Sequence, residues 1–291
     1  MGAGLWLLLG LGAALGDSGA DVVTKRFFSH LPPYGMSLAR LLGAIPFLAA
    51  AAWFIRLPAL DHTFIVIVVC MLPLEGAAML LYMRALKICH LSLCVPFLAF
   101  TPVFLILTGW LILGEGLNRW GILGILLIAS GSYFLGLGPD HRRFWDPIKA
   151  LARETGARLM LAVAAIYSVT AALFKLAILH SDPAFFGVAY PLTAIGLMTA
   201  GYPFSRERAL PALSARYGWW LAAGFCFALS TLSLANGVKL APVTYLVAVK
   251  RLSLLISVAL GGMWLRERPF LPRLIAAALM CAGVALITLK G

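Results

Sequence analysis

The sequence predicts an all-α membrane protein, with ten transmembrane helices arranged as two inverted five-helix repeats around a central cavity. Three observations predict it. Of the 291 residues, 62% are hydrophobic and only 12% are charged, against about 45–50% and 25% in soluble domains, and the mean hydropathy is +0.97. Runs of roughly 20 apolar residues, enough to cross the hydrocarbon core as a helix, recur between short polar breaks. Finally, a shift of 152 residues lays the second half on the first: Gly109 meets Gly261, Leu113 meets Leu265, Glu115 meets Glu267 and Gly131 meets Gly283. A β-barrel would instead alternate apolar and polar residues over segments of about 10 residues.

The first span, 4–26, opens on GLWLLLGLGAALG. No basic residue precedes this run, and it continues through Asp17 and Asp21 without a small-residue cleavage site, so it reads as a retained helix and not a signal peptide. Asp17, Asp21 and Thr24 share one helical face. The second span, 34–55, follows LPPYG and carries Arg40 about two turns in and Pro46 beyond it. In the third, 64–86, Glu75 lies midway within MLPLEGAAMLLY, which has no other charge, and Glu75, Met79 and Tyr82 share a face. The fourth, 92–113, closes on GWLILGE, and the fifth, 118–138, follows the polar turn GLNRW.

The segment GPDHRRFWDPIKALARETGAR is the seam, with a short interfacial helix expected around FWDPIKALARE and Phe144 and Trp145 at headgroup level. The chain therefore divides into a first repeat at 1–138, a connecting loop at 139–157 and a second repeat at 158–291. The sixth span, 158–179, carries Tyr167, Ser168 and Thr170; with a shift of 150, Ser168 and Lys175 meet Ser18 and Lys25. The seventh, 184–204, follows SDPAF, whose Pro183 meets Pro33, and contains Tyr190, Pro191 and Thr193. The eighth, 217–238, contains Ser230 and Asn236; the ninth, 242–264, contains Tyr245 and closes on GGMWLRE; the tenth, 270–289, follows RPFLPR.

Five helices are an odd number, so the second copy crosses the membrane in the opposite sense to the first. Secondary transporters are commonly built this way, with the binding site near the midplane at the repeat interface. Glu115 and Glu267 stand where the fourth helix of each copy leaves the bilayer. As a repeated pair they read as scaffold, each carboxylate accepting from backbone N–H groups at the start of the next helix, where the dipole favours it.

GDSGADVVTK closing the first helix, SLARLLGAIPF opening the second, ALKICHLSL closing the third and GEGLNRWGILGILLIASG joining the fourth and fifth complete a pattern. Over essentially the whole chain it resembles the EamA type of the drug/metabolite transporter superfamily. The resemblance implies a ten-helix basket around a central cavity, working by alternating access, often as an exporter of amino acids, other small metabolites or drugs. It also implies a multi-pass place in the bacterial inner membrane with both termini inside. Tyr190 stands where the second copy would carry the counterpart of Arg40, a departure from any symmetric role for that arginine.

Charges inside a span cost about 2.5–3.5 kcal/mol each at the helix centre on insertion scales, so each needs a reason. Asp17, Asp21, Arg40 and Glu75 meet Tyr167, Ala171, Tyr190 and Phe227 in the second copy, so these charges belong to the first copy only. A site recognising an asymmetric solute is where the halves should differ, which makes this set the expected cavity lining. The structural alternatives are that Asp17 and Asp21 neutralise Arg40 or Lys25, and that Arg40 snorkels to the interface. Glu75, alone in mid-helix, reads as functional, alone or with Asp21, coupling proton entry to solute exit. Ser18, Tyr82, Tyr167, Ser168, Thr170, Tyr190, Thr193, Ser230, Asn236 and Tyr245 form a second tier of candidate lining.

All five histidines fall in loops or at span ends, and no H-E-x-x-H, G-x-S-x-G or Walker pattern occurs, so no catalytic residue, cofactor or metal site is expected. The five cysteines lack C-x-x-C spacing and read as packing residues. The net charge of +12 fits loops beside anionic lipid and implies no nucleic-acid partner. The expected partners are a small-molecule solute, protons and lipid. A non-transporting scaffold or sensor is the alternative reading, which the buried charges disfavour. Loops after odd-numbered spans collect fifteen Lys and Arg against seven on the other side. By the positive-inside rule that puts both termini outside, opposite to what the resemblance implies.

Overall fold

The computed structural model describes residues 2–89, 95–135, 154–204, 217–256 and 271–290. The first copy comprises α1 (Gly2–Phe28), α2 (Pro33–Leu42), α3 (Ile45–Ala52), α4 (His62–Ile88), a 3-10 turn at Val95–Ala99, α5 (Phe100–Leu113) and α6 (Arg119–Leu135). The second comprises α7 (Thr155–Leu179), α8 (Pro183–Gly201) with a short 3-10 turn after it, α9 (Tyr217–Gly237), α10 (Val243–Lys250) and α11 (Leu271–Lys290). All ten expected spans are represented. Six of them, among the described residues, are long and apolar enough to cross a membrane by themselves. The fold is all-α, and exposed leucines, valines and tryptophan such as Leu8, Val69, Leu107 and Trp110 stud its outer surface, as a lipid-facing surface requires.

Three spans are less regular than their apolar runs suggest. The second breaks at Gly43–Ala44 into α2 and α3, just ahead of Pro46, which has no amide to donate to Leu42; α9 crosses there so closely that a Cβ on Gly43 would stand 2.3 Å from the Trp220 carbonyl oxygen. In the fourth, Val95–Ala99 winds as a 3-10 helix before α5 begins. In the ninth, α10 ends at Lys250 and the chain turns at Arg251 and Leu252 before resuming as helix over 253–256. The repeat shift puts 251–252 opposite 99–100, so the turn in the second copy falls where the first copy passes from its 3-10 turn into α5.

Helix packing follows the repeat. Matching the copies pairs α1 with α7, α2 and α3 with α8, α4 with α9, α5 with α10 and α6 with α11. The contact of α1 with α9 then has its image in that of α7 with α4; α5 on α7 in α10 on α1; and α2 on α9 in α8 on α4. The α6–α11 pair is its own image. Side chains repeat the pattern. Lys25 Nζ donates to the Leu86 and Cys89 carbonyl oxygens, each at 2.8 Å. Its counterpart Lys175 donates to the Ala241 oxygen at 3.1 Å, and Ala241 is the counterpart of Cys89.

Small residues set the α6–α11 crossing, as is usual where backbones approach in lipid. A Cβ on Gly124 would lie 2.7 Å from the Gly283 oxygen and one on Gly283 2.5 Å from the Gly124 oxygen, while a Cβ on Gly131 would lie 2.8 Å from the Ala276 oxygen. Gly283→Leu is therefore expected to force the two helices apart. Overpacking of this kind costs about 1–3 kcal/mol, and a lower melting midpoint of the purified protein in detergent would register it.

Helix ends carry local caps. Asp61 caps α4, accepting from the Phe64 amide at 2.8 Å, and its other oxygen meets His180 Nδ1 at 2.7 Å at the end of α7. The Phe64 amide, and behind it His180, hold the Asp61 carboxyl below the usual aspartate range. Asp182 caps α8 by accepting from the Ala184 and Phe185 amides at 2.9 and 3.2 Å, with Pro183 at the first helical position. One cysteine departs from the packing role expected for all five. Cys89 is disulfide-bonded, whereas Cys70, Cys226 and Cys281 are free. Glu267, Cys94 and the expected interfacial helix at 144–154, apart from Glu154, lie outside the described residues.

Candidate functional site

GWLILGE leads into the site from its edge. Gly114 takes a φ of 68°, open to glycine and costly for other residues, and ends α5. The Glu115 amide donates back to the Gly109 oxygen at 3.3 Å, which frees the Glu115 side chain to leave the helix. Its carboxylate was expected to cap the next helix. Instead Asn118 does so, its Oδ1 accepting from the Gly121 amide at 2.7 Å. Glu115 reaches across to the other copy, where it pairs with Lys175 and accepts from the Val243 amide at 3.2 Å, at the start of α10. The carboxylate thus fixes the helix that ends at Lys250 and is followed by Arg251.

A cavity of about 150 Å³ lies between the copies. Asp17, Asp21, Arg40 and Glu75 all line it, and so do their four counterparts Tyr167, Ala171, Tyr190 and Phe227. The expected helical faces hold, for Glu75, Met79 and Tyr82 line it together. Thr24 on the α1 face is fully buried, and its hydroxyl has no partner among the described residues.

Charge in this cavity is organised as a network. Arg40 is buried and not at the interface: its Nη1 donates to Asp21 Oδ1 at 2.9 Å, its Nη2 lies 3.9 Å from Asp17 Oδ1, and its guanidinium stands 5.4 Å from the Phe227 ring centroid. The Tyr82 hydroxyl donates to the other Asp21 oxygen at 2.6 Å. Asp17 accepts from the Ser230 hydroxyl at 2.6 Å and pairs with Lys250 Nζ at 3.0 Å. Each aspartate thus has a cation and a hydroxyl, which offsets the cost of burial. Glu75 is different. No lysine or arginine among the described residues lies within ion-pair distance of it, and its near neighbours are the hydroxyls of Tyr190 and Thr170.

The expectation that one copy alone supplies the ionisable lining is overturned. Lys250 and Arg251, from the second copy, line the cavity beside the first copy's charges, in place of Leu98 and Ala99 in the repeat. Both are among the seven charges of the smaller loop tally, although they lie well inside the apolar span 242–264. Without them the loop tally becomes fifteen against five, still more uneven than before. Thr101, Thr231 and Ser253 also join the lining. In the second tier, Tyr82, Tyr167, Thr170, Tyr190 and Ser230 are in the wall. The other five candidates are not. Asn236 is exposed and donates to its own helix at the Leu232 oxygen. Ser168 bonds to the Ala165 oxygen, Thr193 is exposed and bonds to the Tyr190 oxygen, and Tyr245 packs in the core. Ser18 is fully buried but does not line the cavity. Asn236, Ser168 and Thr193 thus satisfy their polar groups on their own helices.

Comparison with known proteins gives the same architecture. One matching solved structure, described only as the crystal structure of a protein, is 19% identical, with a TM-score of 0.75 over 98% of this chain and 96% of that one. At that identity the likeness concerns the fold. No curated protein matches the sequence. The profile of the EamA-like transporter family matches twice, at 4–137 and 154–289, once over each copy. With both halves matched and the fold shared end to end, the chain belongs to the EamA-like transporter family and is a multi-pass membrane transporter, not an enzyme.

Proposed function

We propose that the protein is a secondary active transporter that exports a small polar solute in exchange for protons, with Glu75 as the proton-carrying group. The two copies are inverted with respect to each other and alternate access to the cavity between them. The observation that carries this reading is Glu75: a carboxyl in mid-span, in the cavity wall, with hydroxyl neighbours and no ion-pair partner among the described residues. An acid locked in a salt bridge is a poor proton carrier because protonation must first break the pair. Glu75 has no such bond to break. Inversion is supported by the odd helix number and by the swapped contacts, and rearrangement by the interruptions at 95–99 and 251–252, which border the cavity.

Reconstituted protein tests this directly. With a dye reporting pH inside liposomes and a panel of amino acids, nucleosides, polyamines and quaternary cations supplied in turn, at least one solute is expected to move protons against its own flow. Solute flux that neither responds to a pH gradient nor creates one would refute proton exchange.

A further inference from the structure

We propose that Arg251 is the anchor for an oxyanion on the transported solute, a carboxylate or a phosphate group. The inference rests on the reading that the cavity is the transport site. Its basis is an imbalance in how the lining charges are partnered. Asp17 is met by Lys250 at 3.0 Å, and Asp21 by Arg40 at 2.9 Å, so two acids take up two cations. The third cation, Arg251, has no carboxylate within 4.0 Å among the described residues. Glu75, the remaining acid in the wall, meets none of the three cations at that distance.

Arg251 is nonetheless only 7% exposed, and its Nε has no hydrogen-bond partner among the described residues. Its one hydrogen bond among the described residues runs from Nη2 to the Thr101 hydroxyl of the first copy, at 2.8 Å. A buried guanidinium carries five donors and a full charge, and leaving it with a single neutral acceptor is costly. An oxyanion on the solute would supply both the missing acceptors and the missing charge, and a guanidinium fork suits carboxylate and phosphate oxygens in particular.

Position supports the assignment. Arg251 is where α10 stops and the chain turns, so its backbone is placed by a helix that Glu115 holds from the other copy. Thr101 lies in the first turn of α5, just beyond the 3-10 turn at Val95–Ala99 in the first copy. The Arg251–Thr101 bond therefore joins the two interrupted spans across the cavity, and an anion bound there would touch both halves at once. Lys250, next in the chain, is already committed to Asp17 and leaves the anion to Arg251.

The test uses the full chain in nanodiscs, with inorganic phosphate and succinate as separate probes and chloride held constant. A saturable rise in melting temperature is expected with at least one of them, the responsive probe naming the class of oxyanion. Arg251→Gln is expected to weaken the apparent affinity about tenfold or more; Thr101→Val, which removes only the orienting hydroxyl, should weaken it less; and the exposed Lys239→Gln should leave it unchanged. Arg251→Lys keeps the charge and serves as the variant to read should the glutamine form fail to fold, with weaker binding still expected because the fork is lost. Failure of both anions to bind, or equal binding by wild type and the Arg251 variants, overturns the assignment. If proton-coupled flux persists with neither anion bound, transport through the cavity stands and the anion site alone falls.

Discussion

Glu75→Gln is expected to reduce proton-driven solute flux in liposomes to the level of protein-free vesicles and to flatten its dependence on pH. Glutamine has nearly the shape of glutamic acid and can still engage the hydroxyls of Tyr190 and Thr170, the two groups beside residue 75. Folding should therefore survive, and a melting profile close to wild type would confirm it. What the amide cannot do is bind and release a proton in this range of pH. Solute-for-solute exchange, which needs no net proton movement, should persist in the variant. That combination separates a coupling residue from a binding one, because loss of a binding contact would impair both modes. Undiminished, still pH-dependent net flux in the glutamine variant would remove Glu75 from the mechanism.

The fold was legible because lipid imposes a length on every spanning helix and because the repeat is written at residues that packing holds fixed. Gly131 and Gly283 recur since both sit where α6 and α11 nearly touch, and Lys25 and Lys175 recur since both close the end of a neighbouring span. The cavity was legible where charge interrupts an apolar face, as at Glu75 and Asp21. It was misread at Lys250 and Arg251, which enter the loop tally although the span around them runs on in both directions. Comparing the copies position by position would have exposed them, since Leu98 and Ala99 are their counterparts and the same asymmetry picked out Glu75. Asn236 and Ser168 mark the opposite limit: polarity within a span says nothing of which way a side chain turns when its own helix offers a carbonyl. The partner of Glu115 was beyond reach for another reason. Its contact at Val243 is 128 residues away and depends on how the copies dock.

Arg40→Met should be the most destabilising single change in the cavity. It strips Asp21 of its cation and leaves that carboxylate with the Tyr82 hydroxyl, whereas Asp17 keeps both Lys250 and Ser230. Removing one partner of a buried ion pair costs about 3–5 kcal/mol, while replacing both charges can be close to neutral. Arg40→Met combined with Asp21→Asn is therefore expected to recover most of the loss, a coupling that a double-mutant cycle on melting stability would measure. The cycle also decides what Asp21 does. If Asp21→Asn alone keeps proton-coupled flux, the aspartate serves to hold Arg40 against Phe227 and Glu75 carries the proton alone. If it folds normally and loses coupling, protonation of Asp21 must release Arg40 during the cycle, and the ion pair is itself a moving part.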